Sequence, residues 1–279
     1  MSPQTDIRIV TVSASSQVKA EDRGQVVVSG SYGGEYNAYY AGKWGLRGVI
    51  LNDAGVGKDE AGIRGLRYLD QIGLAAATAD ASTCHIADGE HMLAHGLVSH
   101  VNRAAARLGC RVGDTVRACA ERMRSAALAE GALPAIAGGK RYLISANPGE
   151  PKVICLDAAP MLEPGDRGAI AITGSHAALF RGKPDGVISV DLTGVFFSDG
   201  GVGLDQAGIS RLADLDLRRM PAGAAAAASA RIGDARSIYH DGVLSHVNQA
   251  AAGRGARAGM TVKAVVDMLL AAARDARGR

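Results

Sequence analysis

The chain repeats itself. Asp53 to Ala104 lies without a gap on Asp199 to Ala250, 146 positions further on, with about two in five residues identical. Long words recur: Gly55-Val56-Gly57 and Ala61-Gly62-Ile63 return as Gly201-Val202-Gly203 and Ala207-Gly208-Ile209, and Ser99-His100-Val101-Asn102 returns as Ser245-His246-Val247-Asn248. Upstream the offset is 144, pairing Asp22-Arg23-Gly24 with Asp166-Arg167-Gly168 and Gly30-Ser31 with Gly174-Ser175, so two residues were gained near 180–190. A unit of this length can bury its own core. The repeat predicts two tandem α/β halves, 1–147 and 148–279, related as a pseudo-twofold pair.

Each half alternates short apolar runs, glycine-rich loops and alanine-rich stretches, the pattern of an α/β layer fold. Strands are predicted at Ile7 to Val12, Gln25 to Ser29, Gly48 to Leu51 and Ala75 to Thr78, and in the second half at Val153 to Leu156, Ala169 to Thr173, Gly194 to Phe197 and Ala222 to Ala226. These runs are apolar throughout rather than alternating, which suits largely parallel sheets covered by helices on both faces. Between Glu90 and Leu108, Leu93, Leu97, Val101, Ala104 and Leu108 fall on one helical stripe, predicting one helix with His100 buried, and His246 likewise in the second copy.

Composition narrows the function classes. A net charge of +3 with scattered basic residues argues against nucleic acid. No apolar run approaches 18 residues and Met1 to Ala20 shows no charged-then-apolar leader, so neither membrane nor secretion is expected and the cytoplasm follows. Cys84, Cys110, Cys119 and Cys155 lack CxxC spacing and read as free buried thiols. No dinucleotide fingerprint or Walker motif is present, and no cofactor is implied.

In an open α/β sheet, ligands meet the loops beyond the carboxyl ends of the strands. Three loops have that address. The first, Gly30-Ser31-Tyr32-Gly33-Gly34, is a near miss to the Gly-x-Ser-x-Gly elbow, with Ser29 at the first glycine position. Its duplicate carries Ser175 followed by His176, a candidate proton shuttle. The second loop runs from Asn52 and Asp53 through Lys58 to Asp59, with Asp199 as the copy of Asp53. Asp53 suits general-base work, whereas Asp59 and Asp205 read as helix N-caps. Asn52-Asp53-Ala54-Gly55 also resembles the metal-binding Asn-Asp-Asp-Gly loop of the stationary-phase survival nucleotidases, but its second acid is Ala54 here and Gly200 in the copy. No function is carried across.

The third loop, Ser82 to Glu90, is where the halves diverge: His85, Glu90, His91 and His95 become Arg231, Arg236, Ser237 and Asp241. His91 and His95 are one helical turn apart, a spacing zinc can use, yet no third ligand is evident. The leading expectation is a hydrolase or related lyase acting on a small polar substrate, a carboxylate or amide, held between the halves. Ser31 would be nucleophile or hydrogen-bond donor, Asp53, His85 and His176 the acid–base groups, and Arg231 an anion clamp. Two alternatives stand beside it: a non-catalytic pseudodimeric binder of a metabolite or partner chain, and a divalent-metal phosphohydrolase. Self-association into a homo-oligomer stays open.

Overall fold

Runs such as Val26-Val27-Val28 and Gly48 to Leu51 are buried on both sides, and that is what makes them interior strands of a layered fold. The computed structural model describes residues 7–129 and 131–277; the start of the stretch read as lacking a leader, and the last two residues, lie outside them. The chain forms two compact units. Unit 1 comprises Met1–Gly55, Gly62–Ala137 and Gly203–Asp205; unit 2 comprises Val56–Ala61, Gly138–Val202 and Gln206–Arg279. The main division thus falls between Ala137 and Gly138, ten residues before the expected 147/148 boundary.

Unit 1 has a five-stranded sheet in sequence order: β1 (Ile9–Val12), β2 (Val26–Tyr32), β3 (Gly48–Asn52), β4 (Ala75–Ala79) and β5 (Val98–Val101). The first four are parallel, and β5 runs antiparallel to β4. Side chains of successive residues go to opposite faces. Val27, Val49, Leu51 and Ala76 pack with Leu66 and Leu69, whereas Val26, Val28, Ile50 and Ala77 pack with Met92, Val116 and Met123. Helices α1 (Glu35–Gly42) and α2 (Gly65–Asp70) supply the first layer; α3 (Gly89–His95), α4 (Arg103–Arg107) and α5 (Val116–Met123) supply the second.

Unit 2 repeats the plan with one strand more. Its sheet has the order β11-β10-β9-β8-β7-β6, from β6 (Arg141–Ser145), β7 (Val153–Leu156), β8 (Ile170–His176), β9 (Gly194–Ser198), β10 (Ala222–Ala225) and β11 (Leu244–Val247). Strands β7 to β10 are parallel and both edges are antiparallel. Its helices are α6 (Arg211–Leu217), α7 (Ala235–Asp241), α8 (Gln249–Ala252) and the long α9 (Val262–Arg277). The protein is therefore an α/β protein with two mixed, largely parallel sheets. The eight expected strands are all present, and all four thiols are free and buried.

Three local expectations need correction. The single helix over Glu90 to Leu108 is instead α3, β5 and α4: the chain turns extended at Gly96, and Asn102 caps α4 by accepting from Ala105 N. The stripe was a coincidence of period, and tertiary pairing with β4 overrides it. His100 and His246 consequently stand half-buried on edge strands rather than within a helical core. Asp59 and Asp205 are not N-caps, because both have left-handed backbones, φ 54° and 51°; the caps that do operate include Asp88, Thr115, Asp234 and Asn248. Finally, Gly30-Ser31-Tyr32 is not loop but the end of β2, which slips register between Val28 and Tyr32.

Candidate functional site

At the carboxyl end of the unit 1 sheet, Ser31 is buried and its Oγ accepts the Ser15 N–H at 2.9 Å. Ser15 Oγ and Ser29 Oγ lie 3.1 Å apart, and the Ser31 N–H is 3.3 Å from Ser29 Oγ. These contacts tie β2 to the turn after β1. Among the described residues, no histidine or carboxylate is hydrogen-bonded to Ser31, so the serine has no paired base there of the kind that activates a nucleophile. Gly30 is needed for a close approach: a Cβ there would lie 2.4 Å from Asp88 N, and Ala87 N donates to Gly30 O at 2.8 Å. Gly33 N donates to Asn52 O, Gly33 O accepts from Gly65 N, and Gly34 opens α1, while Asn37 Nδ2 donates to Tyr32 O. Each of these groups is engaged in holding the strand end.

The carboxylate of Asp53 does similar work. Its Oδ1 accepts from Gly55 N at 2.9 Å and Ala81 N at 3.0 Å, joining the loops after β3 and β4. Asn52 Oδ1 accepts from Ala54 N, and its Nδ2 lies 3.7 Å from Cys84 Sγ. Burial pushes the Cys84 thiol up to about 12, so it is protonated at neutral pH.

The third loop brings the titratable groups together. His85 Nε2 is 2.9 Å from Asp205 Oδ2, His85 and His91 stack with ring centroids 3.7 Å apart, and His95 follows at 4.5 Å from His91. His91 Nδ1 accepts the His85 N–H at 3.3 Å, and Asp88 caps the helix beneath by accepting from Glu90 N and His91 N. Burial, then the neighbouring His85 and His95, hold the His91 pKa below its usual value. Stacked rings do not turn their nitrogens toward a common point. Accordingly, among the described residues no three His, Cys, Asp or Glu side chains are grouped to hold a metal ion.

In unit 2 the equivalent positions are filled by ion pairs. Arg231 donates to Asp234 Oδ2 at 2.9 Å and to Asp59 Oδ2 at 3.1 Å, while Lys58 Nζ and Ser237 Oγ both reach Asp241 Oδ2 at 2.9 Å. An incoming carboxylate would compete with Asp59 for Arg231. Ser175 Oγ accepts from Ala159 N, as Ser31 does from Ser15. His176 Nδ1 accepts the Ala178 N–H at 3.2 Å, and burial, with Arg211 adding to it, pulls its pKa down to about 4. Arg211 is itself buried, clamped on Asp185 at 2.6 and 2.8 Å. Asp199 Oδ1 repeats the loop link of Asp53, and its Oδ2 accepts Ser245 Oγ–H at 2.8 Å. With that proton committed, the 3.1 Å contact between His246 Nδ1 and Ser245 Oγ has Nδ1 as its donor.

Sequence reasoning missed Asp205 as the partner of His85, and missed both Arg211 and Asp185. A signal existed for Arg211, whose counterpart in the first half is Gly65: a charge gained where the copy has none. The expected site residues thus fall at the carboxyl ends of their own sheets, Ser31, Asp53 and His85 in unit 1 and His176 and Arg231 in unit 2. No helix among the described residues is long and apolar enough to cross a membrane. What the fold defines is a duplicated α/β protein with polar strand-end loops. A comparison with family models, curated proteins and solved structures returns no match.

Proposed function

We propose that the protein is an acid–base enzyme, a hydrolase or related lyase acting on a small polar substrate that carries a carboxylate or an amide. The observation that supports this reading is the Asp205–His85 pair at 2.9 Å, stacked on His91. With Nε2–H directed at Asp205, His85 Nδ1 is the nitrogen free to take a proton, the arrangement by which a carboxylate orients an imidazole base. In hydrolysis, Nδ1 would take a proton from the attacking water and return it to the leaving group. Ser31 serves as a hydrogen-bond donor rather than a nucleophile, since its Oγ already accepts from Ser15 N and, among the described residues, no base is hydrogen-bonded to it.

The test is a screen of the full chain against small amides, esters and eliminable carboxylic acids, followed by variants on whichever substrate turns over. His85→Gln should lower kcat about 100-fold or more, and Asp205→Asn less. Full turnover by His85→Gln would end the proposal. A second reading, a non-catalytic metabolite binder, is favoured by the commitment of Ser31, Asp53 and Gly30 to backbone links. Saturable thermal stabilisation without product would favour it.

A further inference from the structure

Unit 1 carries a cluster of reactive side chains that neither the stacked histidines nor the strand-end loops use. Cys110 follows α4 and Cys119 lies within α5, and both are buried in the same apolar layer. Cys110 Sγ–H donates to Cys119 O at 3.5 Å, and the two thiols are also hydrogen-bonded to each other. Beside them Arg122 Nη1 donates to Asp114 Oδ2 at 2.6 Å, and the same oxygen accepts from Arg111 N at 2.7 Å.

The duplicate shows that the fold does not require this chemistry. At the offset of 146, Cys110, Asp114, Cys119 and Arg122 become Ala256, Met260, Val265 and Met268. Ala256 and Val265 are buried in the corresponding layer of unit 2, with Met260 packed against it. One copy thus has an apolar contact where the other has two thiols, a carboxylate and a guanidinium. A cysteine filling space as a small hydrophobe calls for no second thiol and no charged neighbour.

The two sulfurs are unequal. The hydrogen bond from the Cys119 thiol, with the Arg122 guanidinium adding to it, holds the Cys110 pKa below its usual value against the opposing effect of burial. The same hydrogen bond, together with burial, pushes the Cys119 thiol up. Thiolate character and access decide which cysteine an oxidant meets first. Cys110 lies at the edge of the layer, because the residues that follow it, Arg111 and Val112, are exposed. Local opening of that short turn uncovers its sulfur.

We infer that Cys110 and Cys119 are a redox pair, which closes to an intramolecular disulfide and pins the chain after α4 to α5 when hydrogen peroxide reaches unit 1. The Cys110 thiolate attacks one peroxide oxygen and breaks the O–O bond, giving a sulfenic acid and a hydroxide that takes up the thiol proton as water. The Cys119 sulfur then attacks the sulfenic sulfur, and its proton leaves with the hydroxyl group as a second water. Both thiols are oxidised and the peroxide is reduced. The pair lies apart from the residues of the proposed acid–base site, so it stands or falls independently of the enzymatic reading.

Peptide mapping of the full chain tests it. The protein is treated with hydrogen peroxide under native conditions, alkylated in denaturant, cut with trypsin and read by mass spectrometry. Leu108–Arg111 and Ala118–Arg122 should appear joined, lighter than their sum by the two thiol hydrogens, as the major oxidised product, and dithiothreitol should separate them. The urea midpoint should rise on oxidation and return on reduction. Cys110→Ala and Cys119→Val install residues that unit 2 already carries at these positions, so both variants should fold, and each should abolish the linked peptides and the shift. Absence of the linked pair, linkage to Cys84 or Cys155 in equal yield, oxidation of Cys110 to the sulfinic acid without linkage, or a midpoint unchanged by oxidation would each overturn the assignment.

Discussion

Acidifying the protein should weaken unit 2 in part through one ring, that of His176. His176 is held neutral by burial beside the Arg211 guanidinium, and its pKa falls from 6.5 to about 4. The unfolded chain therefore binds this proton first, so stability is undiminished above pH 6.5, declines as the pH falls through that value, and levels off below about 4. At about 1.4 kcal/mol for each tenfold difference in proton affinity, the full loss is about 3 kcal/mol. Other groups titrate over the same range, so the measurement is a difference. Urea unfolding followed by far-ultraviolet circular dichroism, at several pH values between 7.5 and 4, would compare the protein with His176→Asn. The asparagine Oδ1 can still accept the Ala178 N–H that the imidazole Nδ1 accepts, but carries no titration. The variant should lose about 3 kcal/mol less than the parent on acidification, with the divergence beginning near pH 6.5. Parallel loss in the two proteins would refute the reasoning.

Two further outcomes follow from buried groups. Arg211→Met should destabilise the protein by about 3–5 kcal/mol because it strands the Asp185 carboxylate, whereas adding Asp185→Leu should recover most of that loss, both read from urea midpoints. Burial pushes the Cys84 and Cys155 thiols up to about 12, so neither should react with an aromatic disulfide reagent at pH 8 in the native protein, and both should react after denaturation, as mapped by mass spectrometry. Rapid native labelling at either cysteine would contradict the burial described.

The parallel strands were legible because a strand covered on both faces must be apolar throughout, and Val26-Val27-Val28 and Val153 to Leu156 are. The antiparallel edges were not. Val98 to Val101 carries an apolar spacing that fits a helix equally well, and only the exposed edge of β4 decides between them. The polar loops were likewise found at the correct strand ends, but their hydrogen bonds were not legible. Ser31 and Asp53 sit where catalytic groups belong, yet their oxygens accept backbone N–H groups of Ser15, Gly55 and Ala81.

From the residues alone came the duplication, the alternation of strand and helix, the free thiols and the divergence of the third loop. These are properties of pattern and of local chemistry, which a chain carries before it folds. Tertiary structure decided which groups meet: Asp205 with His85 across 120 residues of sequence, and Arg211 with Asp185 across 26. Pairing at such separations depends on the register and twist of whole sheets, and no local run of residues encodes it.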